Sequence, residues 1–195
     1  MKSRLAKNEA LATEPKVAEY LQIMDERITQ CNKIIGDLIS FTRISSPNYT
    51  VVILSNVLES TLSGIDIPGG ITVVDNYGQG SMEVRVDPLQ LLKVFTNLIV
   101  NAYEATLEGG ELTVVVTSKE SSVEEAIKDT GPGMSPEGLE VIFEPLYTTK
   151  IQGTGLGLAV CQQVITKHND RLEVHSKVGV AATFTVTLSL FSESQ

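Results

Sequence analysis

The chain has 195 residues, a net charge of -9 and 42% hydrophobic residues, with no basic stripe; that supports one substantial core and argues against a nucleic-acid partner. Two cysteines, Cys31 and Cys161, make no disulfide framework, so a reducing, cytoplasmic setting is expected. Apolar runs such as "LLKVFTNLIV" are too short and too polar to span a bilayer, and the polar "KSRLAKNEA" after Met1 shows no signal-peptide pattern.

Residues 1–12 read as the end of a preceding helix. Thr13, Glu14 and Pro15 then open a long helix over 16–43. Val17, Leu21, Met24, Ile28, Cys31, Ile35 and Leu38 recur in steps of four and three, a heptad seam that Ile34 and Phe41 widen. A face of that width suits a four-helix bundle better than a lone coiled coil, so self-association through 16–43 is expected. "SSPNY" at 45–49 ends the helix, and the character of the chain changes.

Beyond it, 49–63 reads as a short strand followed by a helix. The stretches 70–78 and 82–87 read as two strands joined by a turn. Asp87 and Pro88 open a strong helix that runs to 106, with Asp87 as its cap. Strands follow at 109–120 and, more weakly because of its acidic residues, at 121–129. Short and longer helices at 135–143 and 155–168 and two closing strands at 171–178 and 181–191 complete the order. Helices mixed with mostly hairpin-connected strands predict an α+β fold, a two-layer α/β sandwich with helices on one face of a mixed sheet.

Three stretches carry chemistry. Asn97 and Asn101 lie four apart on one face of the helix at 88–106, beside the apolar face of Leu91, Val94, Leu98 and Ala102. Their amides can offer oxygen to a hard cation such as Mg2+ or hydrogen bonds to a phosphate; capping or simple solvation is the bland alternative. "DTGPGM" at 129–134 sets a carboxylate at a strand end, able to accept from an exocyclic amine, beside glycines that admit a planar ring; read alone it is equally a β-turn. "GTGLGL" at 153–158 puts glycines before a helix, where exposed N–H groups favour phosphate. It is neither a Rossmann fingerprint nor a P-loop, since no "GK[ST]" follows.

Together, in this order and spacing, the stretches resemble the GHKL ATPase family, and within it the sensor histidine kinases. "NLIVNAYEA" is similar to the N box, "DTGPGM" to the first glycine box, "FEPLYTTK" to the F box and "GTGLGLAV" to the second glycine box. "RITQCNKIIGDLISFTRI" is similar to the second helix of the dimerisation and histidine-phosphotransfer domain. The resemblance covers about residues 14–190. It implies two parts: 1–44, a partial dimerisation and phosphotransfer segment, and 45–195, a catalytic ATP-binding domain with the GHKL fold.

The resemblance also implies roles. Asp129 binds the adenine amino group, with Gly131 and Gly133 beside the ring. Asn101 is the Mg2+ ligand, with Asn97 near the phosphates. Residues 135–152 form a lid from which Lys150 reaches the terminal phosphate as a point charge; within it "YTTKIQGTG", with its polar, small and glycine residues, is expected to be mobile without nucleotide. Thr148, Thr149, Gly153, Thr154, Gly155, Leu156 and Gly157 complete the ATP site. Asn97, Asn101 and Lys150 are the catalytic candidates. Related hydrolysing ATPases carry a glutamate at the position of Asn97; an amide cannot take a proton from water, so transfer rather than hydrolysis is implied. Glu104, one turn beyond Asn101, reads as a surface or supporting residue rather than a base.

The chain departs from the family pattern at the phosphate acceptor. Its two histidines are His168, read as structural, and His175, read as solvent-facing on a strand; residues 1–15 contain none. The expected protein is a histidine protein kinase core lacking its first transfer helix and sensor, so that this chain alone does not autophosphorylate. Asn169 and Asp170 stand where a second glycine is common, and "GVAATF" replaces a Gly-Thr pair. The implied partners are a second copy through 16–43, once the helical bundle is complete, and a response-regulator receiver domain. The alternatives are a non-catalytic nucleotide-binding or dimerisation module regulating a kinase, and a GHKL serine kinase, against which the heptad helix argues.

Overall fold

The computed structural model describes residues 15–42, 44–67, 69–77, 82–150 and 153–192. The expectation for residues 1–12 lies outside them. The long helix α1 spans Pro15–Thr42. After it come β1 (Thr50–Ile53), α2 (Leu54–Ser63), β2 (Thr72–Asn76), β3 (Glu83–Val86) and α3 (Pro88–Ala105). Next are β4 (Glu111–Ser118), β5 (Ser122–Asp129), α4 (Pro136–Val141), α5 (Gly157–Lys167), β6 (Arg171–Lys177) and β7 (Ala181–Ser189).

A five-stranded mixed sheet runs in the order β2-β4-β5-β7-β6. Along β4, β5 and β7 every second side chain is buried, the period-two pattern of a sheet covered on one face. The cross-strand rows Val114–Ile127–Phe184 and Val123–Leu188 lie on that face. Leu54 and Leu58 of α2, Phe95, Leu98 and Ile99 of α3, and Val160 and Ile165 of α5 complete the core against them. This is the two-layer α/β arrangement that the element order implies.

The segments at 70–78 and 82–87 do form strands, but they do not form a hairpin. β3 pairs antiparallel with β1 in a separate two-stranded sheet, and β2 pairs in parallel with β4. The reason is burial. β3 turns Val84 and Val86 into the core and leaves Glu83 and Arg85 outside, whereas all five β2 side chains are exposed. β2 therefore has no buried face to match with β3. Its register is set by backbone bonds at its start, from Gly109 N to Gly70 O at 2.9 Å and from Thr72 N to Gly110 O at 3.0 Å.

One core position breaks the pattern. Glu125, in mid-β5, faces the helices opposite Val116 and Val186. It is fully buried, and neither carboxyl oxygen has a hydrogen-bond partner among the described residues. Burial alone holds its carboxyl well above the usual carboxylate range.

The joint between α1 and the rest of the chain is built around Asp87. Its Oδ1 accepts from Leu89 N and Gln90 N and caps α3, as the Asp-Pro pair suggests. Its Oδ2 accepts from Asn48 N at 2.9 Å. Burial pushes this carboxyl up, but the three backbone N–H groups and nearby His168 outweigh it and hold it below its ordinary value. His168 is buried. Its Nε2 accepts from Asp87 N at 3.0 Å, which leaves the ring proton on Nδ1 facing Val164 O at 2.9 Å. Tyr49 stacks edge-on against it, with the ring centroids 5.4 Å apart. This histidine is structural, as the sequence suggests, and Asn169 beside it takes the left-handed conformation at φ 61°.

Candidate functional site

Asp129 is the last residue of β5 and is 2% exposed. Its Oδ1 accepts from Gly131 N at 2.8 Å. Burial pushes its carboxyl up, and backbone N–H groups and the charge of Lys150 pull against that. The glycines that follow are demanded by the chain's own backbone. Gly133 sits at φ 67°, and a Cβ on it would lie 2.2 Å from Lys177 O, at the β6–β7 turn. A Cβ on Gly131 would lie 2.5 Å from Ala105 O, at the end of α3. The motif is therefore wedged between α3 and the β6–β7 turn, and Met134 N, bonded to Ser176 Oγ at 2.8 Å, closes it. Both glycines would be required here even without a ring to accommodate.

The amides of α3 face the stretch 146–157. Asn97 Nδ2 donates to Gly157 O at 3.4 Å. Asn101 Oδ1 accepts from Lys150 Nζ at 2.7 Å, and the same ammonium lies 2.7 Å from Glu104 Oε2. Residues 49 apart in sequence thus meet at one point on the helix, and Lys150 also faces Asp129 electrostatically. Thr148 Oγ1 accepts from Lys150 N at 3.1 Å and shapes the turn that presents the lysine. Thr149 is exposed beside it.

The second glycine motif is held from two sides. Gly155, at φ 67°, accepts from Leu146 N at 2.9 Å, and a Cβ on it would lie 2.4 Å from Leu146 C. Leu146 is itself left-handed, at φ 71°, while 69% exposed. A bulky residue there costs roughly 1 kcal/mol, so the contact with Gly155 holds a strained loop. Gly153 packs against Thr148, and Leu156 is buried at the start of α5. Gly157 is different: a Cβ there would meet only Asn97, at 3.8 Å. Thr154 Oγ1 donates to Asp37 Oδ2 of α1 at 2.8 Å.

Lys150 thus links Asn101 to Asp129, and Asn97 meets the glycine loop before α5, so these residues lie on one side of the domain near the end of β5. Residues 151–152 of the expected lid lie outside the described residues. A groove of about 560 Å³ between β1, α2 and the start of α3 shares none of these residues. Sequence reasoning missed Asp37, because an aspartate on a solvated helix face carries no local signal of a partner on α5's loop. Glu104 was legible as a neighbour of Asn101, three residues along the same helix face, but its pairing with Lys150 was not.

These residues bring together acceptors, a cation and backbone donors. A buried carboxylate beside the first glycine motif is an acceptor for an amine. Asn101 Oδ1 already carries a cation, the Lys150 ammonium. The backbone N–H groups opening α5 favour phosphate.

Comparison with known proteins identifies the family. Residues 86–192 match the family described as "Histidine kinase-, DNA gyrase B-, and HSP90-like ATPase". Sporulation kinase C of Bacillus subtilis (strain 168) is 30% identical over 185 residues, which cover 92% of this chain and 43% of that protein. The chain thus spans less than half of that relative's length. The solved structure of full-length ShkA in complex with AMPPNP superposes with a TM-score of 0.79 at 20% identity, over 93% of this chain and 40% of that one. Histidine kinase ThkA in complex with response regulator protein TrrA gives 0.78 at 21% identity, over 99% and 56%. The chain belongs to the histidine kinase-, DNA gyrase B- and HSP90-like ATPase family, as an ATP-binding domain of the histidine-kinase type.

Proposed function

We propose that the chain is the catalytic core of a two-component sensor histidine kinase, which binds Mg-ATP in the cleft above β5 and presents the γ-phosphate to a histidine supplied from outside this sequence. The observation that carries this reading is the Lys150 ammonium seated on Asn101 Oδ1, 2.7 Å away. It brings a mobile-charge donor and a cation ligand to the same point beside Asp129. In this reading Asp129 accepts from the adenine amine, with Gly131 and Gly133 setting the loop beside it. Gly153, Thr154, Gly155, Leu156 and Gly157 turn backbone N–H groups to the phosphates, with Thr148 and Thr149 at the edge. Asn101 holds Mg2+, which supplies charge neutralisation on the transferring phosphoryl group. Asn97 and Lys150 position that group, and positioning does most of the work in phosphoryl transfer.

Neither histidine of the chain serves as acceptor in this reading: both ring nitrogens of His168 are engaged in the α3–α5 joint, and His175 stands on β6. The division at 44/45 separates the helical segment from the ATP domain. Met24, Ile28, Ile35 and Leu38 of α1 are all about half exposed, which supports pairing of this helix with a second copy when the bundle is complete. A response-regulator receiver domain is the second partner, by analogy with the ThkA complex. Among the described residues no helix is long and apolar enough to cross a membrane, and a cytoplasmic location is part of the proposal.

Calorimetric titration with ADP and a non-hydrolysable ATP analogue, with and without Mg2+, tests the site. Micromolar, Mg2+-dependent binding that is lost in Asn101→Ala is expected. Mixing the protein and ATP with a histidine-bearing transfer domain then tests the reaction. Nucleotide binding without any phosphohistidine would favour a regulatory nucleotide-binding module instead.

A further inference from the structure

The seat occupied by the Lys150 ammonium has two walls. Asn101 Oδ1 and Glu104 Oε2 each lie 2.7 Å from Nζ, and the backbone carbonyl of Asn101 lies at 3.5 Å. These are three oxygens converging on one cation from a single turn of α3, with a carboxylate among them. Mg2+ is commonly held by one or two carboxylates together with substrate phosphates, and this is half of such a set. The Lys150 and Glu104 side chains are 35% and 36% exposed, so their ion pair is of the weak, readily exchanged kind.

We propose that Glu104 is a positioning residue of the nucleotide cleft. With Asn101 it forms a cation seat that Lys150 fills at rest and a divalent cation takes over when nucleotide enters, freeing Lys150 for the phosphates. This rests on the nucleotide-binding reading above and adds to it a residue and a reason for cation dependence. Glu104 is an anion on the wall of a site for a polyanion. Nucleotide arriving alone would have to draw Lys150 away and leave the carboxylate facing phosphate. Nucleotide arriving with a divalent cation fills the seat and satisfies both. The carboxylate thus couples phosphate binding to the metal, a task that a neutral side chain at 104 would not perform.

The test compares the wild-type chain with Glu104→Gln, which preserves shape and removes the charge. ADP and a non-hydrolysable ATP analogue are titrated calorimetrically in Mg2+ and in EDTA. Glu104→Gln should bind metal-free nucleotide several-fold more tightly and Mg-nucleotide more weakly, narrowing the ratio of the two dissociation constants by about tenfold. A second readout needs no nucleotide. Reductive methylation of Lys150, followed by mass spectrometry, should run at least about threefold faster in Glu104→Gln, because the ammonium loses its charged partner. An unchanged ratio in a variant with unchanged melting temperature overturns the inference while leaving the nucleotide site standing. A wild-type chain that binds no nucleotide in either buffer overturns the functional reading, and this inference with it.

Discussion

The two ends of the cleft are held in different ways. At the Asp129 end the glycines press on neighbouring backbone: the loop is wedged between the last turn of α3 and the β6–β7 turn, with no room for a methyl group at Gly131 or Gly133. At the Lys150 end the charged contacts are made by side chains, Lys150 to Asn101 and Glu104, and Thr154 to Asp37. The first end has little room to change its shape. The second satisfies its charges with groups that stand where a ligand would. In the function proposed above, the first end meets the base and the second the phosphates, and the chain divides tight backbone packing from exchangeable side-chain contacts along β5 and α3.

The sharpest way to break that comparison is a methyl group at each end. Gly133→Ala should cost about 2–4 kcal/mol in urea unfolding, from left-handed strain together with a collision against Lys177 O. Gly155→Ala carries the same strain, but it collides with the exposed, already strained loop at Leu146, so about 1–2 kcal/mol is expected. Equal losses would mean that the two ends are equally stiff. Asp129→Asn should leave the fold intact and weaken nucleotide binding by about 10- to 100-fold in calorimetry, through loss of a charged acceptor. Unchanged affinity would move the adenine contact elsewhere.

A pH series sharpens the picture of the rigid side. Glu125, Asp129 and Asp170 all have carboxyls raised by burial. A raised carboxyl binds its proton more tightly folded than unfolded. Its stabilising contribution is therefore complete below its ordinary value and is lost as pH climbs toward the folded value. Asp87 is lowered and acts in the opposite sense, losing its contribution only as pH falls below 3.8. As pH rises above the ordinary glutamate value of 4.5 the melting temperature should fall, and Glu125→Gln should flatten much of that slope and raise the melting temperature at its upper end by a few degrees. A wild-type profile that rises over this range would mean that Glu125 has found a partner. The smallest effect belongs to Thr154→Val, which breaks the bond to Asp37. About 0.5 kcal/mol or less is expected in unfolding, with cysteine cross-linking between α1 and α5 reporting a looser contact.

Much of this was legible in the sequence, for identifiable reasons. Asp87-Pro88 announced the start of α3, and the apolar spacing that follows it set which face carries Asn97 and Asn101. The glycine motifs marked where the chain needs unusual backbone, although not that Gly133 yields to a neighbouring turn rather than to a ligand. What could not be read is what depends on distant partners. β2 has five exposed side chains, so its burial pattern said nothing of its parallel pairing with β4. Glu125 looked like a flaw in a weak strand; only the register shows it turned inward. The positions of Lys150 and Asp37 depend on how α3, α5 and α1 come together in space, and spacing along the chain does not encode that.

The double use of Asp87 has a mechanical consequence. One carboxylate grips both the first turn of α3 and the backbone of Asn48, so everything from Asn48 onward must travel with the ATP domain as one body. Just before it, Ile44 packs against the domain core, and Ser45 O and Ile44 O accept from the side chains of Gln90 and Lys167. If α1 swings against the domain, it must give up that packing and the bond from Thr154 to Asp37, and the two residues between, Ser46 and Pro47, are left to turn. A proline at that pivot restricts how the chain can bend. The joint should behave as a stop with few settings rather than as a loose tether, and the axle on which it turns is the helix that carries the phosphate-end asparagines.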